Sequence, residues 1–184
     1  MNSGIKFLLI QSCLVIALAA CNEKPAPTNT QQDKISFSIP NTTEEVILKH
    51  PDGTHHVSRF KDNATGEKVA EVEFHPNGQP KIHKHFEQEI LQGESWCYYE
   101  DGKPWSLNTF RDGKYEGIYK TWFENGQLHI SGQYINGLEE GEWFTYYQNG
   151  QLNTRGMYKQ GKKSGLWTSY NLEGTLKREQ NFEE

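Results

Sequence analysis

Apolar and polar residues alternate along most of this chain, in short runs broken by Asn-Gly or Asp-Gly pairs. In the clearest stretch, Leu128, Ile130, Gly132 and Tyr134 occupy every second position and share one face of an extended strand. Asn136-Gly137 then begins a connection, and Glu142 to Tyr147 form a second strand. There Trp143, Thr145 and Tyr147 face one way, Phe144 and Tyr146 the other. Asn-Gly supplies the positive φ angles that tight hairpin turns require. Gly132 and Gly156 stand two residues before an aromatic and leave room for a neighbouring ring. The pattern predicts β-hairpins and no helices.

The hairpins repeat. Gly78, Gly102, Gly126, Gly150 and Gly174 are 24 residues apart, as are Gly93, Gly117, Gly141 and Gly165. Phe86, Phe110, Tyr134, Tyr158 and Phe182 keep the same interval, and so do Tyr98, Trp122, Tyr146 and Tyr170. Four columns in one register identify a repeat array. One such unit cannot bury its own aromatic surface, so copies must stack. The predicted fold is all-β, an elongated antiparallel meander of tandem 24-residue, two-stranded repeats over residues 51–184. The first copy, residues 51–75, is degenerate and the last is truncated. Ile35 to Ile39 and Val46 to Leu48 read as short entry strands, making residues 35–50 a cap.

The N-terminus follows a different pattern. Lys6 precedes Phe7 to Ala20, a mostly apolar run too short for a bilayer span but of signal-peptide size. It ends in Leu18-Ala19-Ala20-Cys21, which resembles the lipobox of bacterial lipoproteins. That resemblance implies a signal peptide over residues 1–20 and a lipid attached to Cys21, which would hold the chain on a membrane. Asn22 rather than Asp after the cysteine favours the outer over the inner membrane in a Gram-negative cell envelope. Residues 21–34, with Asn22 to Lys34 polar and holding two prolines, read as a disordered tether.

The repeat columns themselves resemble MORN repeats, specifically the bacterial variant class. Tyr115-Glu116-Gly117 and Trp122-Phe123-Glu124-Asn125-Gly126-Gln127-Leu128 carry the likeness. It recurs in Gly141-Glu142-Trp143, in Tyr147-Gln148-Asn149-Gly150-Gln151-Leu152, and in Gly165-Leu166-Trp167. Some proteins of that class are YwqK-type antitoxins, and eukaryotic arrays act as scaffolds or membrane-associated modules. The resemblance implies an architecture and no particular activity.

Composition narrows the function further. A formal charge of −5 with interspersed signs gives no electrostatic footprint for nucleic acid. There is no nucleophile elbow, phosphate-binding glycine loop or zinc signature, so the chain reads as no enzyme and needing no cofactor. With Cys13 in the signal and Cys21 lipidated, Cys97 has no disulfide partner and reads as a small strand residue. His55, His56, His75, His83 and His85 crowd the degenerate part of the array. His83 and His85 share a strand face, a spacing that suits Zn, Cu or Ni, although no Cys or carboxylate spacing completes a set.

The column Tyr98, Trp122, Tyr146 and Tyr170 reads two ways: an intramolecular stack replacing a core, or an exposed strip that binds a partner. These four are the candidate partner-binding aromatics. Specificity in a repeat array lives in variable positions, here including His129, Arg155, Lys162 and Lys163. The expected function is a non-catalytic, membrane-anchored binding or scaffold lipoprotein of the cell envelope. Its expected partner is a protein, with envelope polysaccharide second. The alternative is an antitoxin-like or immunity protein that neutralises a toxin at the envelope.

Overall fold

A computed structural model describes residues 38–183. The expected signal peptide and tether, with Cys21, and residues 35–37 lie outside them. The described chain is a single antiparallel sheet of twelve strands in sequence order. They are β1 (Thr42–Lys49), β2 (His55–Asp62), β3 (Lys68–Phe74), β4 (Pro80–Glu87), β5 (Ile90–Tyr98) and β6 (Pro104–Arg111). The series continues as β7 (Lys114–Trp122), β8 (Leu128–Ile135), β9 (Leu138–Tyr146), β10 (Leu152–Lys159), β11 (Lys162–Tyr170) and β12 (Leu176–Phe182). This is the meander of two-stranded repeats that the columns predicted.

Two boundaries differ from expectation. Residues 38–41 lie in no strand, and the expected Val46 to Leu48 strand is longer, running as β1 from Thr42 to Lys49. Strand β9 begins at Leu138 rather than at Glu142, because Asn136 and Gly137 both take positive φ and close the turn in two residues. The intervening residues form a bulge. Ser131 faces Phe144 but Gln133 faces Glu140, so β9 holds two residues more than β8 between those pairs. Hairpins β4–β5, β6–β7 and β10–β11 repeat the irregularity, which is why a column of glycines sits there.

From β3 onward two kinds of turn alternate, and each is tied to a neighbouring copy. At the tight turns, the Asn136 and Gln160 amides donate to the Glu116 and Glu140 carboxylates at 2.7 and 2.8 Å. The Asp112 amide donates to the Gln92 side-chain oxygen in the same way. At the five-residue turns, the Asn77, Asn125 and Asn149 amides donate to carbonyls of the following copy's turn. His75, Tyr99 and Tyr147 bond the carbonyls of Tyr98, Trp122 and Tyr170, one copy on. Fixed polar columns therefore satisfy turn backbones that a single-layer sheet leaves open.

One register row crosses every strand: Val46, Ser58, Val72, His83, Trp96, Leu107, Lys120, Ser131, Phe144, Arg155, Thr168 and Glu179. Directly paired residues share a face, so this row defines one, termed the reverse face. In β2 and β3 the reverse face carries the buried cluster Phe60, Ala70, Val72 and Phe74, with Ile39 packed against it.

From β6 onward a continuous run of ring contacts lies on the other face, the ladder face. Tyr115 meets Phe110 and Tyr134; Tyr134 and Tyr119 meet Trp143; Trp143 meets Tyr158; Tyr158 meets Trp167; Trp167 meets Phe182. Centroid separations run from 4.6 Å to 6.4 Å, within the range of favourable aromatic pairs. Gly132 and Gly156 make room for it: a β-carbon there would lie 2.3 and 2.1 Å from the indoles of Trp143 and Trp167.

Candidate functional site

The column Tyr98, Trp122, Tyr146 and Tyr170 ends strands β5, β7, β9 and β11 on the reverse face. Each residue faces the first residue of the next strand: Pro104, Leu128, Leu152 and Leu176. All four are half-buried. Trp96 stacks on Tyr98 and on Trp122, at 6.2 and 6.0 Å. The long run of rings bypasses this column and passes instead through the Tyr134 and Trp143 columns of the ladder face. Burial pushes the Tyr119 and Tyr158 phenols up, and Tyr134, with Glu139 also beside it, is pushed up to about 12.

With its aromatic mass on the ladder face, the sheet leaves large side chains in solvent behind it. Ile118, Met157 and Leu166 are about half exposed on the reverse face, flanking the row of Trp96, Leu107 and Phe144. Of the variable positions, Arg155 lies in that row and donates from Nε to the Thr168 hydroxyl. Lys163 instead sits over the Trp167 ring at 4.2 Å, a cation–π contact that supports the ladder. The His129 ring lies against Phe123 at 4.2 Å.

His83 and His85 sit side by side on β4, ring centroids 4.3 Å apart. Burial, and secondarily the charge of His85, pulls His83 down to about 4, so it is neutral at physiological pH. A neutral imidazole can ligate a metal, but a site needs more donors. Among the described residues no group of three or more His, Cys, Asp or Glu side chains is placed to hold one. His55 pairs with Glu44 at 2.9 Å, and His75 belongs to the turn ladder.

Sequence reasoning passed over a groove of about 750 Å³ at the long-turn edge. Its apolar lining includes Ile82, Cys97, Tyr98 and Trp105, and turn residues from Glu100 to Gln148 provide polar groups. Trp105 is 50% exposed. The signal was available: its column otherwise reads Lys81, His129, Asn153 and Lys177, all polar.

Fold and register together define a tandem β-hairpin repeat protein. More particularly, residues 115–136, 139–160 and 163–184 match the MORN repeat variant. Each match starts on the bulged strand and ends after the next one, so the repeats are β7–β8, β9–β10 and β11–β12. No curated protein matches the sequence. Among solved structures, the GtfA/B complex bound to UDP and GlcNAc is similar over 70% of this chain and 26% of its own, with 16% identity and a TM-score of 0.40. TarM is similar over 67% and 21%, with 17% identity and a TM-score of 0.28. This chain thus spans about a quarter or less of those proteins.

Proposed function

We propose that this protein is a non-catalytic binding module, held at the cell envelope by a lipid on Cys21, whose reverse face docks a protein partner. One observation carries the reading: in β7–β12 the aromatic stack is consumed on the ladder face, while Ile118, Met157 and Leu166 stay exposed behind it. Scattered exposed apolar residues are ordinary, but several on one face of a repeat array give a partner spaced apolar contacts along it. Tyr98, Trp122, Tyr146 and Tyr170 edge this face and serve as its aromatic anchors. MORN-type repeats fit such a role, because their fixed columns build the sheet and their variable positions are free to specify a partner.

The test pairs two variants of the tagged full-length protein in its native envelope. Ile118→Asp/Leu166→Asp should abolish crosslinking to the partner while leaving the circular dichroism spectrum unchanged. Retained crosslinking refutes the face assignment. Cys21→Ser should stop fatty-acid labelling and release the chain from the membrane fraction; continued labelling refutes the anchor. A captured partner that proves to be a toxin, with growth rescued by this protein, would turn the reading towards immunity.

A further inference from the structure

The groove at the long-turn edge points to a second ligand. It extends past the turns that follow β3, β5, β7 and β9, as shown by His75, Glu100, Glu124 and Gln148 along its lining. Neighbouring copies are two strand spacings apart, so four turns span roughly 25–30 Å. That is the length of a short oligomer, and the volume falls in the range of ligand sites.

Trp105 is the residue out of place. Its column is otherwise polar, so the repeat does not need an indole there, yet this one stands half in solvent beside the groove. A lone exposed indole offers a flat apolar face for a flat apolar surface. Around it both lysines already have acidic partners. The Lys103 ammonium is held by the Asp101 carboxylate at 2.5 Å and by the Glu124 carbonyl at 3.1 Å. Lys81 reaches Glu73 at 3.6 Å. With both lysines engaged, the Glu100 and Glu124 carboxylates remain as acceptors and give the lining a small negative charge. A polyanion is repelled by such a surface, and two carboxylates are few to hold a polycation. A neutral chain of hydroxyl groups gains hydrogen bonds from the Glu100 and Glu124 carboxylates and the Gln148 amide, and the ring face receives its C–H groups.

We propose that this groove binds a neutral oligosaccharide, with one sugar ring stacked on Trp105 and its hydroxyls donating to Glu100 and Glu124. The site lies at the turn edge, where it shares Tyr98 with the reverse face but not Ile118, Met157 or Leu166. It goes beyond the protein-docking reading and does not depend on it.

Full-length protein in detergent is titrated with neutral tetrasaccharides of glucose, mannose and N-acetylglucosamine, and with a lysine-rich decapeptide, by calorimetry and tryptophan fluorescence. The expected result is saccharide binding that Trp105→Ala weakens about 30-fold, the size of effect typical of an aromatic anchor. Trp105→Tyr should restore most of it. His129→Ala, in the same column one copy on, should leave it unchanged. Absence of binding to all three saccharides, or equal affinity in Trp105→Ala, overturns the proposal. Binding of the decapeptide in their place also overturns it and assigns the groove to a protein segment. Ile118→Asp/Leu166→Asp should keep saccharide affinity, so this site and the reverse face fail or stand separately.

Discussion

Strands β1–β4 and β7–β12 belong to one sheet but bury opposite faces. In the first region the apolar mass is aliphatic and phenylalanine-based, on the reverse face, where Val72 is fully buried and Phe60 only 2% exposed. The ladder face there carries a charged row, Glu45, Arg59, Glu71 and Lys84. In the second region the equivalent row reads Tyr119 and Gly132, then Trp143 with Gly156, and finally Trp167 with Gln180. Its reverse face is mixed and partly exposed. A sheet without a second layer need not choose one inside for its whole length. Each stretch covers whichever face its side chains can tile, and the other stays available for contact.

The strongest way to break this comparison is to remove the centre of each region. Trp143→Ala and Phe60→Ala should each cost about 3–5 kcal/mol, read by chemical denaturation. Hydrogen exchange should then rise around β8–β10 in the first variant and around β2–β3 in the second. Exchange rising uniformly in both would show one cooperative core rather than two.

Next in size is Gly156→Ala, which puts a carbon into the Trp167 indole and should cost about 1–3 kcal/mol through displacement of the ring. Alanine at Asn108, the corresponding position two copies earlier, should be far milder. Equal effects at the two positions would mean that the glycines do not serve the stack.

Acid should separate the regions as well. The folded-state value of His83 lies below its unfolded one, so the unfolded chain binds more protons between pH 6.5 and about 4. Stability is intact above pH 6.5 and falls as pH drops through that window. The loss is about 1–2 kcal/mol, since the exposed part of the ring remains screened by water. His83→Gln should flatten this acid slope. An unchanged slope would place the titration elsewhere.

The smallest expected effect is in the turn ladder. Glu140→Ala removes the acceptor for the Gln160 amide and should cost about 0.5–1.5 kcal/mol, with faster exchange of that amide. No change in its exchange would deny the cap.

Several of these residues were legible in the chain and several were not. Asn136-Gly137 identified a turn because the positive φ requirement is local, and Gly132 signalled a close approach because a missing side chain is visible as a gap in an alternating strand. Glu116 and Glu140 repeat at the 24-residue interval, but the amides they hold lie 20 residues away in the next hairpin, which periodicity alone does not pair. For the candidate aromatics, alternation placed Tyr98, Trp122, Tyr146 and Tyr170 on one face. It did not say which column would form the stack, since both faces of β7, β9 and β11 carry rings. Trp105 was hidden by the attention that fixed columns draw, though its departure from its own column was its signal.

Sequence by itself determined the strands, the repeat interval and the two alternating turns of this protein. These follow from backbone dihedral preferences and from side-chain alternation, which act over a few residues. Only the tertiary structure decided which face each stretch buries, which rings touch, and where turn edges leave a groove. Those depend on the register between strands, on bulges that shift it, and on side chains brought together from successive copies, none of which a single strand contains.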